Sequence, residues 1–265
     1  MTRKDRRCWA EQRPLLSTLS LSLALTILAA VPAAKAEGRC QNDLSLGENS
    51  VLASRGNDVA QCALGIAYET GNGVKRDLRR AAELYQQSAK SGNVDAQYRL
   101  GRLLEVGDER LPADPAFAVS MYQTAARYGQ IEAQYRLGYA LQHGIGIEKD
   151  AGQAVIWYRR AAEHGLAEAQ NSLALMYLTG NGVPRNYDEA AKLFKQAADQ
   201  GYDWAQNNLA GLYELGWGVT ANLDEAKRLY AAAAAKDNPG AKRNLERLAA
   251  IQQAGRMPSG ESGER

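Results

Sequence analysis

The sequence predicts an all-α solenoid of five helix–turn–helix repeats with capping helices at its ends. Three observations predict this fold class. An alanine recurs every 36 or 37 residues, a glycine-rich turn recurs once per interval, and an Asp or Asn follows each turn where a new helix would begin. A fixed period of this length is typical of solenoids, in which each unit packs only on its neighbours.

The recurrent alanine lies near the start of the first helix of each unit. In unit two, Ala96, Leu100 and Leu103 are spaced i, i+4, i+7, which predicts one buried helical face. The equivalent alanines are Ala60, Ala96, Ala133, Ala169, Ala205 and Ala241. We therefore expect an N-terminal cap segment at 37–59, a repeat region at 60–248 and a disordered tail at 249–265. The repeats within that region are 60–95, 96–132, 133–168, 169–204 and 205–240, and a capping helix begins at 241.

A Gly-x-Gly turn, such as Gly144-Ile145-Gly146, ends the first helix because glycine permits a positive φ and a tight reversal. The second helix then begins after a residue suited to capping orphan backbone amides. These capping residues are Asp77, Asp114, Asp150, Asn186 and Asn222. Unit two lacks the second glycine and has one extra residue, so we expect an irregular, charged turn from Gly107 to Pro112.

Residues 1–36 have the order of a secretory signal peptide. Basic residues in the first 14 positions precede an uncharged, mostly apolar run from Leu15 to Val31, and Ala34-Lys35-Ala36 forms a small-x-small cleavage site. We predict cleavage after Ala36, which gives a periplasmic or secreted protein with no stable membrane insertion. A retained membrane anchor is the alternative, since the apolar run is at the short limit for a membrane span.

The formal net charge of +2 depends on this segment. Six of the 32 Lys and Arg and two of the 30 Asp and Glu lie within residues 1–36, so the predicted mature chain has a net charge of −2. A nucleic-acid partner is therefore not expected.

Cys8 lies in the predicted signal, which leaves Cys40 and Cys62 in an oxidising compartment. We predict a disulfide between them, which would close a loop of about 21 residues and contribute about 3 kcal/mol. Two buried free thiols are the alternative.

The repeat resembles the Sel1-like repeat, a relative of the tetratricopeptide repeat. Unit three contains most of the family pattern, and Ala174 and Ala210 depart from it where the family has a helix glycine. The matching residues are Ala133, Leu137, Gly138, Gly144, Gly146, Asp150, Ala154, Trp157, Tyr158, Ala161, Ala162 and Gly165. The resemblance implies a right-handed α/α solenoid. It also implies a non-enzymatic adaptor or regulatory role in the bacterial cell envelope.

Residues with catalytic potential are few. The two histidines, His143 and His164, occupy repeat positions where other units have unrelated residues, so we expect surface positions. No nucleophile, phosphate-binding or zinc-protease motif occurs, and the Gly-x-Gly turns lack the context of a phosphate-binding loop. We predict no catalytic, cofactor or metal site.

A surface is the better candidate, because first helices in such solenoids line a concave groove. Positions two, six and nine after the recurrent alanine form a stripe beside the packing face, and Tyr and Arg are typical of binding hot spots. The predicted partner-binding residues are Tyr98, Arg102, Glu105, Tyr135, Tyr139, Gln142, Asn171, Leu175, Asn207 and, opening the helix of unit five, Trp204. Packing between repeats is an alternative role for Tyr98 and Tyr135.

The sequence thus predicts a monomeric scaffold that binds a protein or peptide of the bacterial cell envelope in this groove. Two alternatives differ in class: a hydrolase acting on cell-wall or β-lactam substrates, and a secreted effector that binds host proteins. The hydrolase hypothesis predicts a pocket in which ionisable groups have perturbed pKa values.

Overall fold

The computed structural model describes Cys40 and residues 43–256, with side chains described as far as residue 251. The regular elements of this part are twelve α-helices, which confirms the predicted all-α repeat solenoid. They are α1 (Leu46–Ser54), α2 (Asp58–Thr70), α3 (Leu78–Lys90), α4 (Val94–Val106), α5 (Pro115–Arg127), α6 (Ile131–His143), α7 (Ala151–Glu163), α8 (Ala167–Thr179), α9 (Tyr187–Asp199), α10 (Asp203–Leu215), α11 (Leu223–Ala234) and α12 (Pro239–Arg256).

Each repeat unit consists of a first helix and a second helix that pack against each other, and each second helix packs on the first helix of the next unit. The first helices of units one to five are α2, α4, α6, α8 and α10, and the second helices are α3, α5, α7, α9 and α11. The helices α1 and α12 cover the two ends of the stack, as a solenoid requires.

Local sequence signals account for the helix ends. Each predicted capping side chain accepts a hydrogen bond from the backbone N–H three residues later, as Asp150 does from Gln153 at 2.9 Å. Gly144 adopts a left-handed conformation with φ of 74°. A Cβ at Gly146 would collide with the carbonyl of Pro115 in the preceding unit, so only glycine lets the turn lie against that helix.

The core lies between the two helix layers and is built from small and aromatic side chains. The recurrent alanines are fully buried, and Gly138 lets the ring of Tyr158 approach within 2.8 Å of where a Cβ would be. A glutamine in each first helix, buried in units one to four and half-buried in unit five, donates from Nε2 to a carbonyl of the preceding helix, which satisfies a group at that helix's C-terminal end. These glutamines are Gln61, Gln97, Gln134, Gln170 and Gln206.

The irregular turn of unit two is present and is held by polar contacts. The Asp108 carboxylate accepts hydrogen bonds from the backbone N–H of Arg110 and of Leu111, at 2.8 and 2.7 Å, and these bonds lower its pKa. Arg79 of α3 donates twice to the Arg110 carbonyl oxygen, which joins the turn to unit one.

The C-terminal boundary predicted from the sequence is wrong. The closing helix begins at Pro239 instead of 241, and it continues past 249, where a disordered tail was expected, to Arg256. Asn238 caps this helix by accepting a hydrogen bond from the Ala241 N–H at 3.0 Å, and buried Leu248 anchors it on unit five. The helix formers after Leu248 extend it. The predicted signal peptide at 1–36 and residues 257–265 lie outside the described residues.

Candidate protein-binding face on the first helices

The first helices present one continuous face, which we call the first-helix face. It consists of side chains at the position before the recurrent alanine and at the second, third, sixth and ninth positions after it, in α2, α4, α6, α8, α10 and α12. Side chains at these positions bond from one unit to the next, for example Asn208 of α10 to Asn171 of α8 at 2.9 Å. All ten predicted partner-binding residues lie at these positions, and their role in binding stays a prediction.

Tyr98 and Tyr135 are half-buried at the base of this face. Their ring centroids lie 6.2 Å from Tyr122 and 5.8 Å from Tyr158, so each packs on the second helix of its own unit. Burial raises the pKa of both phenols. Exposed Arg102 lies with its guanidinium 6.0 Å from the Tyr98 ring centroid, in cation–π geometry.

The most accessible aromatic side chains of the predicted set are Tyr139 and Trp204. Tyr139 is 37% exposed, with its ring centroid 4.3 Å from that of His143, and Trp204 is 49% exposed. Leu175 is half-buried and packs against the core. Both rings therefore offer apolar area to solvent.

Glu105 and Gln142 have bonds within the solenoid itself. The hydroxyl of Tyr122 donates to the Glu105 carboxylate at 2.5 Å, and the hydroxyl of Tyr158 donates to the Gln142 side-chain oxygen at 2.7 Å. Arg136 of the next unit lies 3.6 Å from Glu105. These two side chains therefore hold the second helix in register, a role that sequence spacing did not reveal.

The same hydrogen bond, from a second-helix tyrosine to a first-helix side chain, recurs in other units, and its donor and acceptor change together. Tyr85 donates to Glu69 at 2.5 Å, and Tyr230 donates to Glu214 at 3.1 Å. Unit four has Phe194 in place of the tyrosine and Leu178 in place of its acceptor. The donor and the acceptor are thus both present or both replaced by apolar groups.

The shifted pKa values of the tyrosines and of Glu214 result from this repeated packing. Burial, and then the hydrogen bond to the carboxylate, raise the pKa of Tyr85 and of Tyr122 far above the ordinary value. Burial also raises the pKa of Tyr230, to about 12. The Arg247 guanidinium, bonded at 2.7 Å, lowers the pKa of Glu214. Tyr85, Tyr122 and Tyr230 occupy one repeat position, and Tyr98 and Tyr135 share another, so these shifts follow the repeated packing and do not mark a single reactive pocket.

An amide chain crosses the C-terminal half of the face, and the sequence indicated only part of it. Asn171 is 7% exposed and accepts from Asn208, Asn208 accepts from Asn207 at 3.4 Å, and Asn207 accepts from Asn244 at 3.0 Å. Asn208 and Asn244 occupy the third position after the recurrent alanine, which the predicted stripe omitted. Arg99 and Arg136 occupy the same position in units two and three, so the repeat spacing contained the signal.

Cys40 lies over the first-helix face at unit one. The disulfide joins Cys40 to Cys62, with 5.0 Å between Cα atoms, and Cys62 occupies the position of Tyr98 and Tyr135 in later units. The backbone N–H of Cys40 donates to the Asp95 carboxylate at 3.3 Å. A cavity of about 320 Å³ has Cys40, Leu44 and Ile66 among its walls. Cys40 therefore covers the position of Cys62 on this face at unit one.

Metal-binding clusters and membrane-spanning helices are both absent from the part of the chain that the structure describes. In Cys40 and residues 43–256, no group of three or more His, Cys, Asp and Glu side chains is placed to hold a metal ion. No helix within the same described residues is long and apolar enough to span a membrane.

Comparison with protein-family models identifies the repeat. The Sel1 repeat model matches residues 58–93, 94–129, 131–166, 167–202 and 205–238, which together cover more than half of the chain. The chain belongs to the Sel1 repeat family. Four of the five matches begin two residues before the recurrent alanine, where the first helix begins, so the predicted units were slightly displaced.

Solved Sel1 repeat structures share the fold. A Sel1 repeat protein from Oxalobacter formigenes is 33% identical with a TM-score of 0.69, and the match covers 72% of this chain and 76% of that one. The protective antigen c5321 of uropathogenic Escherichia coli is 29% identical with a TM-score of 0.60, over 77% of this chain and 51% of that one. Sel1 repeat proteins generally mediate protein–protein interactions, and the fold is typically a non-enzymatic scaffold.

Curated relatives match over short segments. The DAP3-binding cell death enhancer 1 of Rattus norvegicus is 46% identical over 56 residues, which are 21% of this chain and 11% of that protein. The HRD3B component of an ERAD-associated E3 ubiquitin ligase in Arabidopsis thaliana is 42% identical over 60 residues, which are 23% and 10%. The chain thus matches about a tenth of the length of these relatives.

Proposed function

We propose that this Sel1 repeat protein is a non-enzymatic scaffold of the bacterial cell envelope, and that it binds a protein partner on the first-helix face from unit two onward. One observation carries the proposal. Cys40 covers part of the face at unit one, but beyond it Arg102, Tyr139 and Trp204 are exposed on the first helices.

The chemistry of these side chains supports a protein as the ligand. Tyr, Trp and Arg supply large contact areas and directional polar groups, and they dominate binding energy at protein interfaces. A stack of units presents such side chains along an extended, rigid surface. The side-chain oxygens of Glu105 and Gln142 already accept hydrogen bonds from tyrosine hydroxyls. These two residues therefore act by fixing the positions of their neighbours.

Export supports the proposed location. The basic, apolar and small-x-small order of residues 1–36 is that of a signal peptide cleaved after Ala36, and the Cys40–Cys62 disulfide suits an oxidising compartment. Two of the similar solved structures come from bacteria. We propose that the mature protein is a monomer in the periplasm or outside the cell.

The test is capture of binding proteins from an envelope extract by the wild type and by Tyr98→Ala/Tyr135→Ala/Tyr139→Ala. The wild type is expected to retain a partner that the triple variant loses, with the loss measured as Kd on the purified partner. Because Tyr98 and Tyr135 are half-buried, a second variant, Arg102→Ala/Tyr139→Ala, changes exposed side chains only.

A matched control is the variant Phe117→Ala/Tyr128→Ala/Ile156→Ala, which changes three exposed apolar side chains. Phe117 and Ile156 lie on the second helices α5 and α7, and Tyr128 directly follows α5. Thermal melting followed by circular dichroism checks that all variants fold. Equal capture by the wild type and both first-helix variants, or equal loss in the control, would refute this location of the binding site.

A further inference from the structure

Two turns of the solenoid share the sequence Thr-Gly-Asn-Gly-Val and differ in their surroundings. One is residues 70–74 at the end of α2 in unit one, and the other is residues 179–183 at the end of α8 in unit four. The central asparagines, Asn72 and Asn181, are both exposed, and the chain contains no other Asn-Gly pair. Because the local sequences are identical, a difference in reactivity between the two asparagines has to come from the tertiary structure.

An asparagine that precedes glycine can react with its own backbone. The deprotonated amide nitrogen of the glycine attacks the asparagine Cγ, a C–N bond forms, and the side-chain nitrogen leaves as ammonia. Water then opens the resulting succinimide at either carbonyl and gives aspartate or isoaspartate, so the net change is the gain of water and the loss of ammonia. Glycine favours the attack because it has no side chain beside the nitrogen. Among the described residues, the N–H groups of Gly73 and Gly182 donate no hydrogen bond that would compete with it.

Asn72 has the freedom that this attack requires. Within Cys40 and residues 43–256, its side-chain amide makes no hydrogen bond, and its backbone N–H donates to the Ala67 carbonyl oxygen at 3.1 Å. Asn72 and Gly73 line the cavity of about 320 Å³ beside Cys40, which leaves room for the side chain to rotate. Of the described atoms, a Cβ placed on Gly73 would meet only the end of the Leu46 side chain, at 3.3 Å, so the turn is loosely packed on α1.

Asn181 is restrained through its side chain and through the residue that follows it. Its Nδ2 donates to the sulfur of buried Met176 at 3.8 Å, which holds the carboxamide. A Cβ placed on Gly182 would collide with the carbonyl group of Ala151 at the start of α7, so the backbone of Gly182 is packed directly on the preceding second helix. Closing the succinimide ring moves both of these groups, and close packing opposes that movement.

We propose that Asn72 deamidates in the folded protein by attack of the Gly73 nitrogen, and that the packing of unit four protects Asn181 from the same reaction. The product places a carboxylate on the wall of the cavity at unit one, directly after the C-terminal cap of α2. A negative charge at this end of a helix opposes the helix dipole, so α2 is less stable in the modified copies. These copies accumulate as the protein ages, because the released ammonia is not regained.

The test measures both reactions in one protein. Purified wild-type protein is incubated in water labelled with heavy oxygen, at neutral and at mildly alkaline pH, and the tryptic peptides that contain residue 72 or residue 181 are compared by mass spectrometry. Incorporated label marks deamidation during the incubation, and electron-transfer fragmentation distinguishes isoaspartate from aspartate. We expect the rate at Asn72 to exceed the rate at Asn181 about tenfold, a difference of about 1.4 kcal/mol in activation free energy. Both rates should rise with pH, because the attacking nitrogen must be deprotonated.

The matched control is the same protein unfolded in guanidinium, in which the two identical turn sequences should react at equal rates. Asn72→Gln lengthens the side chain by one methylene, disfavours ring closure, and should remove the labelled product at residue 72 alone. Asn72→Asp reproduces the aspartate product and should melt at a lower temperature than Asn72→Gln, because its charge opposes the helix dipole.

Equal rates at the two asparagines of the folded protein, or a faster reaction at Asn181, would overturn the inference. An Asn72 that reacts in guanidinium but not in the folded protein would overturn it as well. Unequal rates that persist in guanidinium would also reject it, because the difference would then not come from the fold. An Asn72→Asp variant that melts at or above the temperature of Asn72→Gln would reject the proposed effect on α2.

Discussion

The contact between Tyr122 and Glu105 gives a quantitative test of how the repeat is stabilised. Tyr122 is 2% exposed, and its hydroxyl reaches the 23% exposed carboxylate of Glu105 at 2.5 Å. Unit four contains the apolar equivalent, Phe194 with Leu178. We predict that the pair is interchangeable as a whole and that each half-replacement is costly.

The magnitudes follow from what each variant leaves behind. Glu105→Leu leaves the Tyr122 hydroxyl buried without an acceptor, which costs about 1–3 kcal/mol. Tyr122→Phe removes a hydrogen bond to a charged group, but the carboxylate keeps water and Arg136 at 3.6 Å, so we expect a loss of about 1.5 kcal/mol. Replacing both partners removes the unsatisfied group, and the double variant should lose about 1 kcal/mol or less.

The measurement is a double-mutant cycle of urea unfolding followed by circular dichroism at constant m-value. The expected coupling energy is about 2 kcal/mol. A reciprocal set in unit four is the control. Phe194→Tyr alone should destabilise, because its hydroxyl meets Leu178, and Phe194→Tyr/Leu178→Glu should recover most of that loss. Additive effects in both cycles would refute the physical argument that donor and acceptor act as a unit.

Three further predictions concern the ends of the stack and its response to pH. Replacing both Cys40 and Cys62 by Ala should lower the free energy of unfolding by about 3 kcal/mol, and a chemical-denaturation loss below about 1 kcal/mol would contradict this. Asp237→Gly should raise the free energy of unfolding by up to about 1 kcal/mol, because Asp237 has a φ of 65° and its exposed pair with Lys242 contributes little; a lower melting temperature would oppose it. The buried tyrosines should contribute their full stabilisation below about pH 10, where tyrosines of the unfolded chain begin to ionise. The free energy of unfolding increases with pH only where the folded state binds fewer protons than the unfolded state. Because burial instead raises the folded pKa, to about 12 for Tyr230, the stabilising contribution is lost as the pH rises through that value. Tyrosine absorbance and circular dichroism should then change together, and ionisation without unfolding would contradict this.

Features carried by adjacent residues were predictable from the sequence. The Gly-x-Gly turns, the five capping side chains and the buried alanines all behave as predicted, because a turn or a cap depends on residues within one helical turn of each other. The placement of Tyr98 and Tyr139 on a shared face followed from helical periodicity alone. The fold class and the repeat family therefore both followed from the spacing of residues along the chain.

Contacts between units were not predictable in the same way. The predicted stripe contained Asn171 and Asn207 but not Asn208 and Asn244, because only the stacking of α8, α10 and α12 brings the third position next to the second. The sequence predicted that Glu105 contacts a partner, but its carboxylate accepts a hydrogen bond from the hydroxyl of Tyr122 on the second helix. The extension of α12 beyond 249 depends on Leu248 burying against unit five.

The sequence by itself determined that the chain is a stack of helix pairs, where each second helix starts and which residues turn toward the first-helix face, because those properties repeat locally. Only the tertiary structure decided which side chains on that face are already bonded, which are exposed, and that Cys40 lies over the face at unit one. Those properties depend on distances between units, which are set by how the helices pack and are not set by their spacing along the chain.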